Sequence, residues 1–375
     1  MTIGNKLKKR IIDYIFKPIE TKKNSSIEFM RIFSMLCIVL FHFTDHGRVI
    51  LGHDLNFNLN WLTMAFARLG GGLGNCIFIL ITGYLLVLKK FTFKRVIFLW
   101  LEVLFYSFIT ALFLYLIGEK IPKIDKILFP VVNNTYWFIS SYIILLFLSP
   151  VLNRLLISTT KKYIFIYFLL IGTVWSILPT FFYQNWMRGI NNLEIFILLY
   201  CIGGYIKLNP IKERKEIFIL SLLSILAIFL SEIFIKIYEI KLPVDFYAFS
   251  IEKTPIIISS TLLFISFLNI KFRLSKFCYS ASESVFAVYL IHMGHAGYFI
   301  YYDLFNNENI VYSHLFIPWL IISWLTIFFI CILIDKLRKI IVSTPLVEFF
   351  KNHIINKVII YLDQKLNPET EKLTV

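Results

Sequence analysis

The chain contains 375 residues, of which 58% are hydrophobic, 18% are aromatic and only 16% are charged. Soluble domains carry about 25% charged and about 45–50% apolar residues, so this composition excludes a water-soluble globular protein. The formal net charge is +15, but the basic residues occur in short clusters between apolar stretches. That distribution indicates membrane topology rather than nucleic-acid binding.

Ten apolar stretches along the chain predict ten transmembrane helices. They lie near residues 28–44, 72–88, 96–117, 136–152, 163–180, 193–208, 217–237, 254–270, 284–302 and 314–335. Each is close to the length of about 20 residues that a helix needs to cross the hydrocarbon core of a bilayer. We therefore predict an all-α, polytopic membrane protein with one transmembrane domain at residues 27–335.

Basic residues alternate between the connections. Of the 38 Lys and Arg residues, 28 lie in the N-terminus, the even-numbered connections and the C-terminal tail, whereas eight lie in the odd-numbered connections. Because cytoplasmic loops carry an excess of Lys and Arg, both termini are predicted to be cytoplasmic. Residues 1–26 and 336–375 mix basic and large apolar side chains, which predicts amphipathic segments on the anionic lipid surface.

The first predicted span contains Arg31 and His42. Eleven residues of helix rise about 16 Å and return to nearly the same face, so one stripe carries a cation near the cytoplasmic end and an imidazole nearer the exterior. An imidazole at this place can accept the proton of an attacking hydroxyl, and Asp45 can orient it. The structural alternative is that Arg31 contacts lipid head groups and His42 makes a hydrogen bond between helices.

A glycine-rich run at residues 70–74 follows Arg68. It lacks the spacing and the preceding strand of a dinucleotide site. Its glycines permit a tight re-entrant turn or a close helix crossing, and a flexible entry into the second span is the simplest interpretation.

Other ionisable residues lie within predicted spans and need partners, because charges are costly at membrane depth. Glu102 has no charged partner within its own helix. From its depth in the membrane, we expect it to pair with Arg31 or Arg95. His292 and His295 share the ninth span but lack the third ligand that a metal site requires, so we predict no metal. The five cysteines are isolated and indicate no disulfide framework.

Four blocks resemble the acyltransferase 3 superfamily of membrane acyltransferases. These are residues 24–42, with Arg31 and His42 at the family's spacing; 72–86, which ends in Thr-Gly-Tyr-Leu-Leu; 135–150; and 280–292. The family often has paired arginines after the second span, where this chain has Lys94 and Arg95. The blocks occur in the family's order and extend over most of the chain.

The resemblance implies a multi-pass protein of the cell membrane that moves an acetyl group from cytosolic acetyl-CoA to a hydroxyl of a cell-surface or exported glycan. It implies that His42 is the base or the transient acyl acceptor. The expected groups are His42, Arg31 and Asp45 for catalysis; Arg31, Arg68, Lys94, Arg95 and Glu102 for the donor; and Trp137 and His292 for the glycan acceptor.

Two alternatives remain at this point. The span count and the isolated intramembrane charges also suit a transporter of polysaccharide or lipid-linked sugar. The same acyl-transfer chemistry with a succinyl donor is the other alternative. The expected partners are the glycan acceptor and membrane lipids, with no nucleic acid.

Overall fold

A computed structural model describes residues 24–45, 56–182, 192–212, 215–240, 250–270, 272–305 and 310–342, together with residues 357 and 361. No β-strand occurs among these residues. The α-helices are α1 Ser25–Asp45, α2 Leu59–Leu86, α3 Phe93–Leu116, α4 Ile124–Leu128, α5 Trp137–Ser158, α6 Lys161–Gly172, α7 Leu178–Phe181, α8 Leu193–Leu208, α9 Lys215–Ile237, α10 Thr254–Asn269, α11 Lys276–Ser282, α12 Val285–His292 and α13 Phe316–Val342. The all-α fold class is confirmed, whereas the predicted terminal segments lie largely outside the described residues.

Seven helical stretches in the described part of the chain are long and apolar enough to cross a membrane. They are α1, α2, α3, α5, α9 and α13, and the continuous stretch Lys161–Phe181, in which the π-helical turn Thr173–Ile177 joins α6 to α7. The other predicted spans are shorter helices. Helices α8 and α10 have 16 residues each, and α12 has eight. The chain is therefore a multi-pass membrane protein in which three predicted spans are short or broken helices.

Helix α2 begins at Leu59, thirteen residues before the predicted span, and runs without interruption through the glycine-rich stretch. The tight turn and the flexible entry are therefore wrong, and the close helix crossing is right. A Cβ atom at Gly70 would lie 2.5 Å from the carbonyl oxygen of Cys37, and one at Gly74 would lie 2.6 Å from that of Ser34. Glycine is needed here because the backbone of α1 lies directly against α2.

A second close crossing joins α2 to α8. A Cβ atom at Gly83 would overlap the carbonyl oxygen of Tyr200, and one at Gly203 would overlap that of Leu80. In the apolar spanning window of α2, 83% of the residues are buried, compared with 11% in α9. Helix α2 is thus the centre of the bundle, whereas α9 lies at its periphery.

The end of the bundle where α2 ends and α3 begins is called the basic end here, because the connection between them carries Lys89 and Lys90 and the first turn of α3 carries Lys94 and Arg95. A buried ion network joins α3 to α13. The Arg338 guanidinium donates to Glu102 at 2.8 Å and to Asp335 at 2.7 Å, and Lys339 Nζ lies 2.7 Å from Asp335 Oδ2. Tyr106 also donates to Asp335 at 2.7 Å. Asp335 is fully buried, so this network fixes α13 against α3.

Replacing Asp335 by alanine is expected to destabilise the protein by about 1–3 kcal/mol, because Tyr106, Arg338 and Lys339 lose a buried hydrogen-bond acceptor. The midpoint of thermal unfolding in a fixed detergent measures this loss. Glu119→Ala, at an exposed carboxylate, is the control and should leave the midpoint unchanged. Equal midpoints for the two variants would contradict a stabilising role for the network.

Candidate functional site

The fold brings together two histidines that are 250 positions apart in the sequence. His42 lies near the end of α1 and His292 is the last residue of α12, and their ring centroids are 5.5 Å apart. His42 is 6% exposed and His292 is completely buried. Two imidazoles in contact inside the helix bundle place groups that can donate or accept a proton next to each other.

The backbone fixes the tautomer of His292. Its Nδ1 lies 2.5 Å from the carbonyl oxygen of Val288, one helical turn earlier. A carbonyl only accepts hydrogen bonds, so Nδ1 carries the hydrogen and Nε2 is the acceptor in the neutral ring. His292 therefore presents a basic nitrogen on the side of the ring away from its own helix.

Helix α12 stops at His292, and residues 293–296 form bends and turns before the helical structure resumes and becomes π-helical at Phe299–Leu304. The sequence-based span over 284–302 is therefore a broken helix. Irregular backbone at membrane depth is tolerated where it is buried in protein or lines a water-filled cavity. The break lies next to the histidine pair, where such a cavity is needed for chemistry.

Aromatic rings form a wall beside His292. Tyr289 lies 6.1 Å from His292 and 6.1 Å from Tyr136, and Phe138 lies 5.8 Å from Tyr289, measured between ring centroids. The Tyr136 hydroxyl donates to the carbonyl oxygen of Leu290 at 3.2 Å, which attaches α12 to the start of α5. These contacts hold the ring of His292 in place.

Trp137, predicted to contact the acceptor, is the first residue of α5 and is half-buried. Its ring lies 5.8 Å from that of Phe138 and 6.2 Å from that of Phe196. It therefore extends the aromatic wall by one residue.

Arg68 lies at the height of His42. It is 5% exposed and stands one turn before Gly71 in α2. A Cβ atom at Gly71 would lie 2.5 Å from the ring of Phe41, the neighbour of His42. Because α1 and α2 run in opposite directions, the turn before Gly71 lies opposite the last turns of α1. The turn of α2 that carries Arg68 is thus at the height of His42 and away from the basic end.

The other basic residues predicted to bind the donor lie at the basic end. Arg31 is in the first half of α1, about 16 Å along the helix from His42, and donates to both carboxylate oxygens of Glu28 at 3.2 Å. Lys94 is exposed, and Arg95 is half-buried in the first turn of α3. The structure therefore does not place Arg31 next to His42.

The expected partners of Glu102 are wrong. Its carboxylate pairs with Arg338 at 2.8 Å, and neither Arg31 nor Arg95 takes that place. Membrane depth alone gave the wrong ion-pair partner for Glu102. Arg338 lies in the part of α13 that continues seven residues past the predicted end of the domain at residue 335. Asp45 is the last residue of α1, and its side chain lies outside the described part of the chain.

Besides the buried Asp335, sequence reasoning missed a buried charged pair and a buried amide. Glu252 and Lys253 directly precede α10 and are both buried, and Lys253 Nζ donates to the carbonyl oxygen of Pro179 at 2.8 Å. Asn75 is buried within α2. A charged pair directly before an apolar helix was the available signal for Glu252 and Lys253. Among the described residues, no three His, Cys, Asp or Glu side chains are grouped to hold a metal ion.

Comparison with known proteins gives one match. The family model of the acyltransferase domain matches residues 24–336, a range that includes both histidines and most of the chain. No curated protein and no solved structure matches the chain. The match agrees with the four sequence blocks and with the multi-pass helical architecture, and it shows that the chain belongs to the acyltransferase 3 family.

Proposed function

We propose that this protein is an O-acetyltransferase of the cell membrane, which moves an acetyl group from cytosolic acetyl-CoA to a hydroxyl of a cell-surface or exported glycan. The observation that carries the proposal is the contact between His42 and His292 inside the bundle, with ring centroids 5.5 Å apart. Acyl transfer to a hydroxyl needs a base that titrates near neutral pH, and histidine is the usual residue for this role.

In the direct route, His42 takes the proton of the acceptor hydroxyl while the hydroxyl oxygen attacks the thioester carbonyl carbon. The new C–O bond forms, the C–S bond breaks, and the imidazolium returns the proton to the leaving thiolate of CoA. In the two-step route, a ring nitrogen of His42 attacks the thioester carbonyl carbon, the C–S bond breaks and the CoA thiolate leaves. The glycan hydroxyl then attacks the acetyl carbon, the C–N bond to His42 breaks, and Nε2 of His292 takes the hydroxyl proton and passes it to the thiolate. In both routes His292, held through Nδ1 by Val288, orients its basic Nε2 within the site.

The distribution of basic residues assigns the donor and the acceptor to opposite ends of the helix bundle. The basic residues of the N-terminus and the even-numbered connections favour a cytoplasmic basic end, where Arg31, Lys94 and Arg95 suit the phosphates of CoA. The thioester then extends along the bundle to the histidines, and exclusion of water there protects it from hydrolysis. The glycan reaches the same histidines from the opposite side of the membrane.

The aromatic wall suits the acceptor. Tyr289 contacts His292, and Tyr136, Phe138 and Trp137 continue the wall from it. Ligand pockets typically combine such apolar walls with a few polar groups. A sugar ring packed against this wall would place one hydroxyl towards the histidine pair.

Mass spectrometry of surface and exported glycans tests the proposed function. Glycans from cells with the protein are expected to carry acetyl esters that are missing from cells without it, and complementation with the intact gene should restore them. An added succinyl group in place of acetyl would contradict the donor. Glycans of unchanged composition but reduced amount at the surface would contradict the acyltransferase and indicate transport.

A further inference from the structure

Asn75 is a buried amide that the proposed chemistry has not used. It lies in α2, is 7% exposed, and its carboxamide forms no hydrogen bond with the other residues that the structure describes. Burying such a group without a partner costs about 1–3 kcal/mol. An asparagine at this place therefore weakens the centre of the bundle unless something else binds its amide.

Asn75 belongs to a polar stripe on α2. Arg68, Asn75 and Thr82 are spaced by seven residues, and seven residues of helix turn to within about 20° of two full turns, so the three share one face. All three are buried. No other helix face in the described part of α2 carries polar side chains at this spacing.

The stripe approaches α5 at its Thr82 end. Thr82 Oγ1 lies 3.3 Å from the Tyr142 hydroxyl of α5, whereas the glycine face of α2 contacts α1. From Arg68, at the height of His42, the stripe descends about 21 Å along the helix to Thr82, one turn before α2 ends at the basic end. It therefore connects the height of the histidines with the end where the donor phosphates are proposed to bind.

We propose that this stripe is one wall of the passage for the extended arm of acetyl-CoA, and that Asn75 binds an amide group of that arm. The inference rests on the proposed function, which supplies the donor. The pantetheine part of CoA carries two secondary amides, each with one N–H donor and one carbonyl acceptor. An asparagine carboxamide offers both a donor and an acceptor, so it can bind either the carbonyl oxygen or the N–H of a trans secondary amide with one hydrogen bond.

Asn75→Leu tests this assignment, because leucine has a similar size but forms no hydrogen bonds. We expect radiolabelled CoA to bind the purified variant in lipid nanodiscs about 10- to 100-fold more weakly than the wild type, in line with the cost of leaving one buried amide group of CoA unpaired. Asn133→Leu makes the same chemical change at an exposed position and should leave CoA affinity unchanged.

A donor without amides separates loss of recognition from general damage. The ratio of wild-type to Asn75→Leu kcat/KM should be about ten or more with acetyl-CoA and about one with S-ethyl thioacetate. Equal CoA affinity, or an equal loss with both donors, would overturn the role of Asn75 and leave the proposed function intact. A wild-type protein that neither binds CoA nor transfers acetyl from either donor would overturn both.

Discussion

Replacing His42 by alanine is expected to lower the rate of acetyl transfer by about 100- to 10,000-fold, the range that a positioned general base contributes. The imidazole is buried and in contact with His292, and water cannot replace it efficiently in a closed site. The measurement is the transfer of labelled acetyl from acetyl-CoA to glycan by purified protein in nanodiscs. His314→Ala, at an exposed histidine, is the control and should stay within about twofold of the wild type.

The contact between His42 and His292 also predicts the activity of the double variant. If the two histidines act as one unit, His42→Ala combined with His292→Ala should lose little more activity than His42→Ala alone, because residues that act as a unit are not additive. A His42→Ala protein that is folded and retains more than a tenth of the wild-type rate would contradict the catalytic role. The thermal midpoint in detergent verifies folding for each variant.

Gly83→Ala is expected to destabilise the protein by about 3 kcal/mol or more. The new methyl group overlaps the carbonyl oxygen of Tyr200, and a backbone atom cannot rotate away, so α2 and α8 must separate and lose packing along the crossing. The midpoint of thermal unfolding in detergent should fall accordingly, with less folded protein recovered from membranes.

Gly172→Ala is the matched control for Gly83. A Cβ atom at Gly172 meets nothing within 4 Å, so the same substitution should stabilise α6 slightly, by about 0.5–1 kcal/mol, through the better helix propensity of alanine. Opposite shifts of the two midpoints are therefore expected. A Gly83→Ala protein as stable as the wild type would show that the crossing tolerates a wider separation of the helices.

Hydropathy was sufficient to locate helical segments but not their limits. Every predicted span contains a helix, because long apolar stretches satisfy their backbone hydrogen bonds internally in a bilayer. The start of α2 was misplaced because its glycine-rich part has few large apolar side chains. The break after His292 was missed because Met293, Gly294 and Ala296 are small or apolar and the single polar residue among them, His295, does not interrupt the apolar pattern.

The candidate site was only partly predictable for a different reason. The spacing of Arg31 and His42 and the four family blocks identified His42, and His292 was included because it lies in a matched block. Their mutual contact depends on how α12 packs against α1, which no spacing along one helix reports. The same holds for Glu102, whose partner Arg338 comes from the other end of the chain.

The 16-residue length of α10 also determines how much of the hydrocarbon layer this helix can cross. A helix of that length rises about 24 Å, whereas the hydrocarbon layer is about 30 Å thick. Starting from one interface, α10 ends below the opposite head groups, and the buried Glu252 and Lys253 directly precede it. Helix α10 alone is thus too short to cross the full hydrocarbon layer, and a helix of this length would shorten the route between the two proposed substrates.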